Sequence, residues 1–193
     1  RKALPHYAWT HDVLDKIFEE TEGNAFFLVE VINAIKEKGD IGEMTSKMQD
    51  IIKGRFFGLS EKGLKLINIA SLFFDKVSLD LLKTLSEKDE MEILDIMEEL
   101  QGRYLLREHV DGEQISYEFT HQKLREYVYL QQSFARKRIL HNRIGQILEG
   151  TLRNNQGDRF IYPKLIYHFK NAANHTAALK YLIKNLDLYF DFC

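Results

Sequence analysis

The chain has 193 residues, 45% of them hydrophobic, enough for one or two domains with a buried core. Its 27 basic and 29 acidic residues nearly balance, which excludes a general electrostatic attraction to nucleic acid or to an anionic membrane. The longest apolar run, residues 66–74, is far too short to span a bilayer, no signal peptide precedes it, and the single cysteine, Cys193, rules out an internal disulfide framework and fits a reducing cytoplasm.

In chain order, Val13, Leu14, Ile17 and Phe18 recur at helical spacing and predict a helix over 11–20. A loop at Thr21-Glu22-Gly23 leads to Asn24, a good N-cap for a second helix with Phe27, Leu28, Val31, Ile32 and Ile35 on its apolar side. Gly39 and Gly42 close it, and Met48, Ile51, Ile52 and Phe56 place a third helix over about 45–57. Leu59-Ser60-Glu61 marks another cap, and the helix it starts carries Leu66, Ile69, Ala70 and Phe73 on one face. Ser78 is placed to cap the next, with Asp80 in the first turn and Val77 set to staple onto Leu82. A further helix covers about 88–102.

Residues 104–108, the pair Asp111-Gly112 and residues 115–119 then read as a β-hairpin with a tight reversal. In its second strand Ile115, Tyr117 and Phe119 alternate with Ser116 and Glu118, the period of a half-buried strand. Three helices followed by a hairpin make a winged helix. The helix that would enter a DNA groove, Lys88 to Arg103, carries six acids against two bases. Phosphate neutralisation supplies most of the affinity for a duplex, so this helix would be repelled, and the domain reads as a protein-packing module.

At Thr120 the apolar period lengthens from two to between three and four, through Leu124, Tyr127, Val128 and Gln131. Thr120 is expected to cap this helix. His121 then falls in the first turn, where unpartnered N–H groups and the helix dipole favour an anion such as phosphate. Farther on, Leu140, Ile144, Ile147 and Leu148 form one stripe, and Gly150 with residues 154–158 a flexible loop. Ile161, Leu165, Phe169 and Ala172 make the first helix of a final pair, with Ala178, Tyr181, Leu182 and Leu188 on the second.

The run Thr120-His121-Gln122 resembles the strand-to-helix junction that ends the winged helix of STAND-type signalling ATPases, a group including LuxR-like and SARP-like bacterial transcriptional regulators and NB-ARC proteins. That family has a hydrophobic-His-Asp motif there, and its histidine contacts the β-phosphate of bound ADP. Glu22-Gly23-Asn24-Ala25-Phe26-Phe27-Leu28 is similar to the family's G-N-P-F-F-L motif in a small helical lid. Gln122 stands in place of the family's Asp, and Ala25 in place of the proline that packs on adenine. The segments around Tyr167-His168-Phe169 and Ala177 to Leu182 are similar to the tetratricopeptide (TPR)-like arrays that follow the winged helix in these regulators.

The resemblance implies a mainly α fold: a helical lid segment over 1–42, a winged helix with one β-hairpin over 43–120, and TPR-like helical hairpins beginning over 121–193. It implies ADP or ATP held by an upstream nucleotide-binding domain and sensed by His121, Thr120, Gly23, Asn24 and Ala25, with nucleotide exchange coupled to oligomerisation. Arg1 in place of a methionine, and the apolar residues 188–192, give the expectation of a piece cut from a longer cytoplasmic protein, with repeats continuing beyond Cys193. No phosphate-cradling loop, no strand with magnesium-holding acids and no nucleophile motif occurs, so no enzymatic activity is expected of this stretch by itself. The seven histidines lie far apart, none in the i, i+4 arrangement with an acid that zinc hydrolases use. A different class remains open: a non-enzymatic helical scaffold that recognises a protein, or a second copy of itself, through its terminal helices, with no membrane and no direct nucleic acid contact.

Overall fold

Short polar side chains decide where most of the helices begin. The computed structural model describes residues 10–21, 23, 25, 27–29, 31, 32, 50, 52–153 and 155–190. Among these the protein is mainly α-helical with one three-stranded antiparallel sheet, and the chain divides into two units, Arg1–Leu59 and Ser60–Cys193. In the first unit, α1 spans His11–Thr21 and buries Ile17, while the Thr21 hydroxyl donates to the Ile17 carbonyl at 2.7 Å. Gly23 turns the chain with a φ of 72°, where a side chain would be strained. Residues 25, 27–29, 31 and 32 are helical and bury Phe27 and Val31. Residues 50 and 52–56 are helical too, but Asn24, Ile35, Gly39, Gly42, Met48 and Ile51 lie outside the described residues.

The second unit opens on α2, Glu61–Ala70, capped by Ser60, whose hydroxyl accepts from the Gly63 N–H at 2.9 Å. The Ser60 N–H and hydroxyl in turn donate to the two carboxylate oxygens of Glu99, at 2.8 and 2.5 Å. Strand β1, Val77–Ser78, runs into α3, Leu79–Ser86, with Ser78 accepting from the Leu81 N–H at 3.3 Å. Asp89 caps α4, Glu90–Gly102, through the Glu92 N–H at 2.9 Å, so that helix begins two residues later than its periodicity suggests. Strands β2, Leu106–Asp111, and β3, Gln114–Phe119, complete a sheet of order β1-β3-β2, with Val77 opposite Tyr117 and Leu106 opposite Phe119.

One detail of the hairpin differs from expectation. Asp111 pairs with Gln114, so the central residues of the reversal are Gly112 and Glu113 rather than Asp111 and Gly112. Gly112 alone takes positive φ, 59°, as the first central place of a type II′ turn requires. Under the sheet lies a dry core of Leu66, Ile67, Leu72, Leu82, Ile93, Met97, Leu100, Leu105 and Tyr117, all almost completely shielded from solvent.

Four helices follow: α5 at Gln122–Gln131, α6 at Phe134–Gly150, α7 at Tyr162–Asn171 and α8 at His175–Phe190. The loop expected to be flexible over 154–158 instead leads into a 3-10 turn, Gln156–Phe160. Polar side chains hold it: Asn155 accepts from the Gly157 N–H at 2.8 Å, and buried Asp158 accepts from the Arg153 N–H at 3.1 Å. Between α7 and α8 the chain reverses at Ala173, φ 58°, with the Asn174 N–H bonded to the Phe169 carbonyl at 2.9 Å. Tyr162, Leu165, Phe169 and Tyr181 form the cluster that joins the pair. Helix α6 packs against α7 closely enough that a Cβ added at Gly145 would lie 2.7 Å from the Phe169 ring.

Candidate functional site

The junction of β3 with α5 carries the two residues of interest in the second unit. Thr120 does not cap α5. Its hydroxyl donates to the Tyr104 carbonyl at 2.6 Å and its N–H to the Leu105 carbonyl at 3.0 Å, so both its polar groups extend the strand pairing toward the start of β2. The cap falls to His121, which keeps extended backbone angles and accepts the Lys123 N–H on ring Nδ1 at 3.1 Å. His121 therefore stands just before the first helical turn rather than inside it. Accepting on Nδ1 fixes the neutral tautomer with its hydrogen on Nε2. The residue is 6% exposed, so little of the ring is presented at the surface.

The other expected site residues belong to the first unit. Gly23 makes the turn described above, Ala25 is an exposed helical residue, and Asn24 lies outside the described residues. Thr120 and His121 are thus brought side by side with divided tasks, one closing the sheet and the other opening the helix.

What the sequence did not reveal is a buried polar seam where α5, α6 and α7 meet the end of α2. Arg125 is buried with no carboxylate partner among the described residues. One guanidinium nitrogen donates to the Ser71 carbonyl at 3.1 Å, and the group lies 4.1 Å above the Phe74 ring. Its charge is thus met by the carbonyl end of α2 and by an aromatic face. Burial lowers the pKa of Arg125, and its Nε has no hydrogen-bond partner. Gln132 donates from one amide group to the Asn68 carbonyl at 3.1 Å and to the Ser71 hydroxyl at 2.8 Å.

Two histidines complete the seam. His141 and His168 face each other through Nδ1 at 2.9 Å, and the Tyr129 hydroxyl is 3.3 Å from His141 Nε2. One Nδ1 must carry the hydrogen and the other a lone pair, an arrangement two neutral rings satisfy. Burial pushes His141 down to about 4, with Lys137 adding to the effect, and His168 down to about 3, helped by His141 and Lys164. Phe73 meets the His168 ring edge-on at 5.2 Å.

A signal for this seam did exist. Leu165, His168, Phe169 and Ala172 recur at i, i+3, i+4 and i+7, as do His141, Ile144, Gly145 and Leu148, so each histidine sits on the buried face of its helix. Reading only apolar residues centred the α6 stripe on Leu140 and Ile147, which are half-buried. Among the described residues, no group of three or more His, Cys, Asp or Glu side chains is placed to hold a metal ion, and no helix is long and apolar enough to cross a membrane. The chain matches no protein-family model and no curated protein.

Proposed function

We propose that this chain is a non-catalytic helical module that works by binding protein, with the terminal helix as its contact element. The observation that carries this reading is a stripe on α8. Leu179, Leu182, Ile183 and Leu186 follow the i, i+3, i+4, i+7 rule and are 42–56% exposed, while Tyr181 on the opposite side is buried against α7. A helix apolar on two sides buries one against its own hairpin and offers the other to a second helix, as stacked TPR-like hairpins do. A second copy of the chain is the partner this stripe suits, each α8 covering the other. Light scattering after size-exclusion chromatography over a hundredfold concentration range tests it. The apparent mass should rise toward a dimer, and the Leu182→Lys/Leu186→Lys double variant should stay monomeric. A wild-type chain that is monomeric throughout removes the reading.

A second reading keeps the resemblance to STAND regulators. It draws support from the order helix, strand, two helices and hairpin, which is that of a winged helix, and from the place of His121 at the N-cap of α5, where the helix dipole favours an anion. Acidic α4 suits this winged helix to packing on protein rather than DNA: Glu92 pairs with Lys62 at 2.9 Å and with Lys88, and Glu90 with Lys83 at 2.9 Å. In a protein carrying the upstream nucleotide-binding domain, His121→Ala should speed ADP release about tenfold, the order expected for one lost charge-assisted hydrogen bond. An unchanged ADP off-rate rejects the sensor role for His121.

A further inference from the structure

Helix α6 packs on α7, and between α6 and the facing parts of α2 and α3 runs an open groove of about 490 Å³. That volume lies in the range of roughly 300–1,000 Å³ common for small-molecule sites. Its floor is apolar, with Ile69 and Leu85 buried at the bottom, and Ile139, 68% exposed, forms part of the α6 wall. Lys65, Lys88 and Arg136 edge it, and none of the described lining residues is acidic. At one end the Arg143 guanidinium bonds Glu87 at 2.5 Å and ties α6 to the residue that ends α3.

The three cations are not equivalent. Lys65 is paired with Glu61 at 2.6 Å and Lys88 with Glu92, and neither acid lines the groove. Arg136 makes no ion pair among the described residues. It sits in the first turn of α6, which holds no acidic residue, at the end where the helix dipole already places positive charge. Its neighbours point to other tasks: Lys137 lies 4.5 Å over the Tyr129 ring, and Arg138 donates to the Ala172 carbonyl at 3.3 Å. An exposed arginine at a positive helix end, beside an exposed isoleucine over an apolar floor, is a combination that a single kind of ligand relieves on both counts.

We propose that this groove binds a free amphipathic anion: an alkyl or acyl chain laid over Ile69, Leu85 and Ile139, with a carboxylate head held by Arg136 at the start of α6. The chain supplies apolar contact and the head supplies the negative charge missing from the first turn. This inference is independent of the proposed role of α8. Isothermal titration of dodecanoate into the full chain, below the micelle concentration, tests it, with dodecyltrimethylammonium as the cationic counterpart. Dodecanoate should bind saturably with one site, and the cationic amphiphile should bind at least tenfold more weakly. Arg136→Glu and Ile139→Glu, both at exposed positions, should each weaken dodecanoate binding about tenfold or more. Lys170→Glu on α7 should leave it unchanged. Absence of saturable binding, equal affinity for the two amphiphiles, or equal affinity in all the variants overturns the proposal. So does binding only to phosphatidylglycerol vesicles, which would make the surface a membrane contact instead.

Discussion

The second unit has two interiors of different chemistry. Beneath the sheet, Leu82, Ile93, Met97, Leu100, Leu105 and Tyr117 pack with almost no polar side chains among them. Where α5, α6 and α7 meet the end of α2, the buried residues include Arg125, Gln132, His141 and His168. The first interior draws on burial alone and is indifferent to pH near neutrality. The second holds its helices through directed bonds, and buried polar groups are stabilising only while every partner is in place. The lesson is that one continuous unit can owe its two halves to different forces and answer differently to the same disturbance.

The sharpest way to expose the difference starts in the dry core. Leu100→Ala, fully enclosed there, should cost about 2–5 kcal/mol in denaturant unfolding. That loss should be the same at pH 7.5 and pH 5.5, because no titrating group touches the mechanism. The seam should answer to acid instead. Its histidines are held below their ordinary pKa, at about 4 and about 3, so they stay neutral in the folded chain while the unfolded chain takes up protons below about 6.5. Stability is therefore unaffected above that value and falls as pH drops from about 6.5 toward 4 and 3, by roughly 4 kcal/mol at pH 5 for the pair. A His141→Gln/His168→Gln double variant should show a clearly flatter stability profile over this interval, and an equally steep one breaks the comparison. A smaller effect lies between the two helices of the seam. Gly145→Ala drives a methyl into the Phe169 ring and should cost about 1–3 kcal/mol, read as a lower thermal midpoint with little dependence on pH.

Elements that answer to local chemistry were legible in the amino-acid order. Ser60 and Ser78 cap the helices they were expected to cap, and the strand pair around Gly112 forms where alternation and a turn residue coincide. Thr120 misled for a physical reason. A threonine before a helix is a good cap in isolation, but here its hydroxyl and N–H are claimed by Tyr104 and Leu105, distant in sequence. The histidine beside it caps instead, through a ring nitrogen, a role that side-chain preference scales rank low. The polar seam escaped because its partners come from separate helices: nothing local to Arg125 announces Ser71, and nothing local to His141 announces His168.

The grip of Glu99 on Ser60 has a mechanical meaning. Ser60 is the first residue of its unit, and both its backbone and its side chain are clasped from the last turn of α4. Any traction passed along the polypeptide from the preceding fifty-nine residues is therefore shared with the end of α4 before it can unwind the start of α2.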